Sequence, residues 1–265
     1  MGEPMSERRL RLAAAALAAT ALAAALALGG CASNGGALAS GVNPKQAAVD
    51  NVQLSVAYLK LGKLADARLF IERALQEDPR NATVQATAGV VYERLGEASK
   101  ARRAYREAAR LGRKDPDVMN TYGGYLCRTG HYAEGEKVFR EVIANPVYQT
   151  PEVAMVNAGV CLEGAGNDAA AQNYFERALV VRPNMPEALL ESADLAMKRG
   201  DAARAAKIIR QDLAVNPPSP PVLWLGVRAE RALGHANAAD AYAGELVHKF
   251  PTSTEARMLQ AGVGP

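Results

Sequence analysis

The side chains best suited to catalysis or metal binding are few in this sequence, and they lie far apart. The three histidines of the 265-residue chain are His131, His235 and His248, and the first two each follow a glycine in a candidate turn. A glycine-rich phosphate loop, a Cys-x-x-Cys pair and a serine nucleophile elbow are all absent from the sequence. We therefore expect no enzyme activity, no catalytic or cofactor-binding residue and no metal site.

Composition favours a helical protein that binds other proteins. Hydrophobic residues make up 49% of the chain and many are alanines, whereas aromatic residues make up 5% and charged residues 22%. Such a composition suits close-packed helices better than a β-sandwich. The net charge is only +3 and no basic run occurs, which argues against nucleic acid as a partner. We also expect no small-molecule substrate.

Cys31 is the residue with the clearest predicted chemistry. Arginines precede an apolar run of Ala and Leu over residues 12–28, which predicts a cleaved signal peptide over residues 1–30. The segment Leu28-Gly29-Gly30-Cys31 resembles the lipobox of bacterial lipoproteins, whose cysteine is lipid-modified and becomes the first residue. This resemblance implies lipidation of Cys31. The alternative is an ordinary secretory signal with an incidental cysteine.

Several acyl chains on one cysteine anchor a protein stably without a membrane span. Ala32 follows Cys31, and an Asp there would resemble an inner-membrane retention signal, so we expect the periplasmic face of the outer membrane. Residues 32–45 are rich in Ala, Gly, Ser and Asn, which is typical of a flexible tether. We assign residues 31–47 to the lipidated cysteine and the tether.

From residue 48 the sequence repeats. Six glycines recur at intervals of 34 residues, with one interval of 36, and we call them the ladder glycines: Gly62, Gly96, Gly130, Gly166, Gly200 and Gly234. A 34-residue period resembles the tetratricopeptide repeat, a helix–turn–helix unit. The resemblance predicts an all-α, right-handed α-solenoid of six repeats, at residues 48–81, 82–115, 116–151, 152–185, 186–219 and 220–251. A short tail over residues 252–265 contains about one turn of capping helix.

Other positions keep the same register. A large apolar residue stands nine residues after most ladder glycines, at Ile71, Tyr105, Phe139, Phe175 and Ile209, with Ala243 as the exception. We expect it to fill the space between repeats. Repeats 5 and 6 place Asp212 and Glu230 at usually apolar positions, so these units should pack less well.

The first helix of each repeat is expected to line a binding groove. Positions 2, 5, 9 and 12 of that helix give the predicted partner-binding residues: Val49, Val52, Val56, Leu59, Val90, Asn120, Gly124, Cys127, Val156, Val160 and Trp224. An apolar groove of this kind indicates a protein partner. Alternatively, the tether folds into the groove and covers it. Val52 and Val56 replace the Lys and Asn of repeats that clamp a C-terminal carboxylate, which argues against that mode.

Four residues have two interpretations each. Gly124 serves either helix packing or partner contact, whereas we assign its neighbour Gly123 to packing. Trp224 is either an interface residue or part of the core. Cys127 and Cys161 could form a disulfide in an oxidising compartment, but their repeat positions differ by two and so point to different helix faces. We therefore predict two buried thiols.

Two segments extend the resemblance to one family: Asn120-Thr121-Tyr122-Gly123-Gly124-Tyr125-Leu126-Cys127 and Leu223-Trp224-Leu225-Gly226-Val227-Arg228. Together with the lipobox and six repeats, they resemble the type IV pilus biogenesis lipoproteins, the PilF/PilW pilotin group. This resemblance implies a protein that binds secretin subunits and promotes their localisation and assembly in the outer membrane. The alternative is a lipoprotein scaffold of outer-membrane protein assembly or of a cell-wall enzyme complex.

Overall fold

In the computed structural model, residues 43–262 are described, and within them the secondary structure is entirely helical. The helices are α1 Pro44–Lys60, α2 Leu64–Glu77, α3 Ala82–Arg94, α4 Ala98–Leu111, α5 Pro116–Arg128, α6 Tyr132–Ile143, α7 Pro151–Gly164, α8 Asp168–Val181, α9 Pro186–Lys198, α10 Ala202–Val215, α11 Pro220–Ala232, α12 Ala236–Lys249 and α13 Thr254–Gln260. The packing described below lies within one compact unit, Ala48–Pro265.

The helices pack in a repeating order. From α3 to α12, each odd-numbered helix, here called the A helix, packs on the B helix that follows it, and each B helix packs on the next A helix. Successive A helices from α3 to α11 also contact one another. The short helix α13 packs on α11 and α12, where it caps the last pair. This order confirms the predicted all-α solenoid of helix pairs.

The ladder glycines end the A helices, as predicted. All six have φ between 70° and 81°, a left-handed conformation that glycine adopts without steric cost. At Gly96, for example, the glycine N–H donates to the Glu93 carbonyl (3.0 Å) and the Glu97 N–H donates to the Tyr92 carbonyl (2.8 Å). These bonds satisfy carbonyls at the helix end and turn the chain into the B helix.

The start of α1 differs from the prediction. The helix begins at Pro44, within the segment assigned to the tether, rather than at residue 48. The Asn43 side chain accepts a hydrogen bond from the Lys45 N–H at 3.0 Å, and proline suits the first helical position because its missing N–H would have no partner there. An Asn-Pro pair therefore starts the helix early.

The last repeat shifts its packing by one residue. A Cβ on Gly159 would overlap the ring of Phe175, so the glycine in α7 lets α8 approach closely. The corresponding pair in repeat 6 is Gly226 and Tyr242, and each lies one position closer to the chain start than the repeat pattern predicts. Tyr242 thus takes the place that the pattern assigns to Ala243.

The two acidic residues that we expected to weaken repeats 5 and 6 are buried with partners. The Glu230 carboxylate pairs with Arg210 Nη1 and with His235 Nδ1, both at 2.8 Å. Asn216 Nδ2 donates to Asp212 Oδ1 at 2.6 Å. Burial raises the pKa of Asp212, and the hydrogen bond from Asn216 opposes that rise. Repeats 5 and 6 thus hold a carboxylate at an apolar position by giving it a local polar partner.

Candidate functional site

An apolar groove runs across the A helices of the first three repeats. We call it the N-terminal groove. Its apolar side chains come from α1, α3 and α5, with threonines and one aspartate among them: Val56, Leu59, Thr83, Ala86, Thr87, Val90, Asp117, Val118 and Thr121. The groove encloses about 230 Å³. Val56, Leu59 and Val90 are only half-buried, so a partner can reach them.

The groove continues into a polar section formed by α3, α5 and α7. The Glu93 carboxylate accepts from Arg128 Nε at 2.7 Å and Nη2 at 3.0 Å, and from the Tyr105 hydroxyl at 2.6 Å. Asn157 Nδ2 donates to Asn120 Oδ1 at 3.1 Å, which joins α7 to α5. The bonds of Arg128 and Asn157 link successive A helices along this face, whereas Tyr105 reaches Glu93 from the B helix α4.

Glu93 and Arg128 stabilise each other's charged forms, and Tyr105 donates to Glu93 as a neutral phenol. Burial would raise the pKa of Glu93, but the hydrogen bonds from Arg128 and Tyr105 lower it below its ordinary value. The hydrogen bond between Arg128 and Glu93 also raises the pKa of Arg128. Burial and the Glu93 bond also raise the pKa of Tyr105. Glu93 and Arg128 are therefore a fixed ion pair at neutral pH and leave no free charge of either sign.

Gly124 makes room for this ion pair. A Cβ at Gly124 would lie 3.0 Å from Arg128 Nη1, whereas a Cβ at Gly123 would lie 3.0 Å from the Phe139 ring. Gly123 is thus the packing position, as predicted. The space above Gly124 is occupied by the Arg128 side chain, a function that neither interpretation of the sequence anticipated.

Cys127 and Cys161 form a disulfide between α5 and α7, with their Cα atoms 5.3 Å apart. The prediction of two buried thiols is therefore wrong. Neighbouring A helices lie side by side and present opposite faces to each other. Residues two positions apart point about 200° apart around a helix, so one cysteine faces forward and the other faces back across the same interface. Both line a pocket next to Gly124 and Val160.

The structure brings seven of the eleven predicted groove residues to this continuous face: Val56, Leu59, Val90, Asn120, Gly124, Cys127 and Val160. Val52 and Val156 are buried in the core instead, because position 5 of these helices packs against neighbouring elements. Val49 is exposed but lies outside the pockets of this face. Trp224 packs against the core of the last repeat with Leu223 and Leu246.

The A helices of repeats 4 to 6 present charged groups on the same face. Lys198 pairs with Glu163 and, at 2.8 Å, with Asp194. Arg228 lies 3.6 Å from the other Asp194 oxygen. Burial and the nearby charges of Glu163 and Asp194 raise the pKa of Glu191. We call this set the C-terminal ion-pair network.

The comparisons with known proteins agree with this geometry. The crystal structure of PilW, described as a widely conserved type IV pilus biogenesis factor, matches with 30% identity and a TM-score of 0.68, over 81% of this chain and 99% of that one. The chain belongs to the PilF/PilW family. The type IV pilus assembly protein PilF of Pseudomonas aeruginosa is 27% identical over 79% of this chain and 83% of its own length.

A solved structure of Pseudomonas aeruginosa PilF also matches, with 27% identity and a TM-score of 0.62, over 83% of this chain and all of that one. Tetratricopeptide-repeat models match residues 58–121 and 162–218. The chain is thus a tetratricopeptide-repeat protein of a type IV pilus biogenesis family, as its repeat period and motifs predicted.

Cys31 and the signal peptide lie outside the described residues. Among the residues that are described, no helix is both long and apolar enough to cross a membrane, and no group of His, Cys, Asp or Glu side chains could hold a metal ion.

Sequence reasoning missed the Glu93–Arg128 pair. Its signal was the spacing of one repeat plus one residue, 35, which recurs in Glu163 and Lys198. One such coincidence carries little weight, but two in the same repeat register would have indicated ion pairs between neighbouring A helices.

Proposed function

We propose that this member of the PilF/PilW family is lipid-anchored through Cys31 at the periplasmic face of the outer membrane. Its N-terminal groove binds secretin subunits and promotes their localisation and assembly for type IV pilus biogenesis. Family membership supports the pilus role, and the lipobox-like segment supports the anchor. The accessible apolar groove is the observation that supports the proposed position of the binding site.

The N-terminal groove has the properties of a surface for a partner's apolar side chains. Val56 and Val90 lie at the same position of repeats 1 and 2, six residues before the ladder glycine, and Leu59 lies one turn beyond Val56. Thr83, Thr87 and Thr121 line the same groove and offer hydroxyl groups. A segment that buries apolar side chains here while it hydrogen-bonds to these threonines would gain both affinity and register.

The test is a double substitution, Val56→Glu with Val90→Glu, in the full-length protein. Both side chains are half-buried, so the chain should keep its helicity. The charges should reduce secretin recovery on co-purification from detergent-solubilised membranes at least about tenfold, because burying an unpaired carboxylate in the interface is costly. Val52→Glu is unsuitable because Val52 is buried in the core.

The matched control is Leu69→Glu with Val147→Glu. These apolar side chains are 47% and 66% exposed and lie outside the groove, so secretin recovery should be unchanged. Equal recovery with both double variants would contradict the groove assignment. Recovery of barrel-assembly proteins or cell-wall enzymes in place of secretin would contradict the proposed partner.

The anchor has a separate test. Cys31→Ser in the full-length protein should move it from the membrane fraction to the soluble periplasm and leave secretin subunits poorly assembled. Retention in the outer membrane would contradict lipidation as the means of localisation.

A further inference from the structure

A cleft lies between the B helices of repeats 4 and 5, apart from the N-terminal groove. We call it the repeat 4–5 cleft. Its walls are α8 and α10, and α9 contributes to its base. Leu179, Leu189, Ala203 and Ile208 line its apolar part. The cleft has a volume of about 590 Å³, compared with about 230 Å³ for the N-terminal groove.

A small residue of repeat 5 lies one helical turn after Ser192, which lines the cleft. Four residues before the ladder glycine, most repeats carry a large side chain, whereas repeat 5 carries Ala196. In repeat 2 the corresponding residue is Tyr92, whose ring lies 5.2 Å from Lys100 Nζ. At that level Arg68 Nη1 of α2 pairs with Glu97 before α4 at 2.9 Å, which closes the gap between those B helices. Repeat 5 lacks the aromatic ring that stands in this place in repeat 2.

The base of the cleft also holds a polar group without a partner. Ser192 is 2% exposed, and its hydroxyl makes no hydrogen bond within the described part of the chain. The corresponding residues of repeats 2 and 4 are Ala88 and Ala158. An unsatisfied buried hydroxyl is unusual in a folded protein.

The charges at the rim favour an acidic partner. Glu176 is neutralised by Arg204 Nη2 at 3.0 Å and also accepts a bond from Gln172 at 2.9 Å within its own helix. Lys207 lines the cleft, is exposed and makes no ion pair among residues 43–262. The rim therefore carries one positive charge that is not balanced at the site.

We propose that the repeat 4–5 cleft is a second protein-docking site, which accepts an aromatic side chain of a partner polypeptide and pairs a neighbouring carboxylate of that partner with Lys207. Repeat 2 indicates the kind of side chain that suits this position, because Tyr92 stands at the position of Ala196 there, close to Lys100 and the Arg68–Glu97 pair. This site is independent of the N-terminal groove, so the protein can hold two polypeptide segments at once.

The experiment uses the full-length chain in detergent and a random peptide library. Peptides selected on the wild-type protein should carry an aromatic residue next to Asp or Glu. Individual peptides are then titrated by fluorescence anisotropy against Ala196→Tyr, which places the missing ring in the cleft. Binding should weaken at least about tenfold. Only peptides that bind the Val56→Glu, Val90→Glu variant as tightly as the wild type are assigned to the cleft, which separates this site from the groove.

A second variant tests the charge without changing the packing. Lys207→Glu alters only an exposed side chain, and selection on it should enrich aromatic residues next to Lys or Arg instead. Circular dichroism and thermal melts test whether Ala196→Tyr is folded. Peptides without aromatic residues, equal binding to a folded Ala196→Tyr, or an unchanged acidic preference on Lys207→Glu would each overturn the proposal.

Discussion

The two halves of the A-helix face use one repeat position for opposite purposes. Six residues before the ladder glycine, repeats 1 and 2 place Val56 and Val90, whereas repeats 5 and 6 place Asp194 and Arg228. The two valines line the N-terminal groove. The charged pair belongs to a network that also holds Lys198 and Glu163.

This difference shows what a repeat fold fixes and what it leaves free. The ladder glycines end every A helix with the same positive φ, so this position recurs near the end of each A helix whatever its side chain. Apolar residues at that position leave area for a partner to bury, whereas opposite charges satisfy one another within the chain. At this position the N-terminal half therefore leaves apolar area exposed, whereas the C-terminal half forms ion pairs across repeats.

The disulfide joins the two halves, and its removal should have the largest effect. Cys127 and Cys161 are separated by 34 residues, and loss of a cross-link that closes a loop of this size costs about 4 kcal/mol of stability in the chain-entropy model. We expect Cys127→Ala with Cys161→Ala to lower the free energy of unfolding by about that amount in urea titrations followed by circular dichroism. The transition should also broaden as the halves uncouple.

Wild-type protein with added reductant is the control, because it lacks the disulfide but keeps both cysteine side chains. It should show the same loss in the free energy of unfolding. If the double variant and the reduced protein both kept the wild-type midpoint, the two halves would not depend on this bridge.

The periodic features of the fold could be predicted from the sequence, and the contacts between repeats could not. A ladder glycine requires only its own positive φ, so its position in the sequence is sufficient to identify it. Whether Val52 is core and Val56 is accessible depends on the neighbouring helices. The disulfide required knowing that adjacent A helices meet through opposite faces, and the Tyr242 shift depended on how α11 and α12 pack against each other.

The candidate site was predictable to the same degree. The apolar character of Val56, Leu59 and Val90 is visible in the sequence, and the structure places them in one groove. The polar section depends on Arg128 crossing Gly124 to reach Glu93, a contact between residues 35 positions apart. A pattern within one helix carries no information about such a contact.

Two matched substitutions, one in each half, compare the stability that an ion pair between A helices contributes. Arg128 and Lys198 both lie two residues before a ladder glycine, and both are 53% exposed. Lys198→Met leaves Glu163, Glu191 and Asp194 close together with less positive charge, whereas Arg128→Met leaves only Glu93. We expect stability losses of about 1 kcal/mol for Lys198→Met and about 0.5 kcal/mol for Arg128→Met, since exposed ion pairs are screened by solvent.

High salt is the diagnostic condition for this pair. It should reduce the loss in Lys198→Met, because part of that loss is repulsion among carboxylates. Equal losses in both variants at every salt concentration would mean that the three carboxylates do not interact as a cluster.

The pH dependence of stability should differ in sign between one carboxylate of each half, Glu93 and Glu191. This effect should be the smallest of those predicted here. The pKa of Glu93 is lowered in the folded protein, so its contribution is stabilising above the ordinary carboxyl pKa and is lost as pH falls through the folded value. The pKa of Glu191 is raised, so its charge is destabilising above the folded value, and that penalty disappears once both states are protonated. At about pH 7 we expect Glu93→Gln to lower the free energy of unfolding by about 0.5 kcal/mol and Glu191→Gln to raise it by a similar amount.

Urea titrations from about pH 7 to pH 3 should show the two variants converging on the wild type from opposite sides. Shifts of the same sign would mean that Glu191 gains more from Lys198 than it loses through burial and its acidic neighbours, and the C-terminal network would then stabilise its carboxylates as the Glu93 pair does.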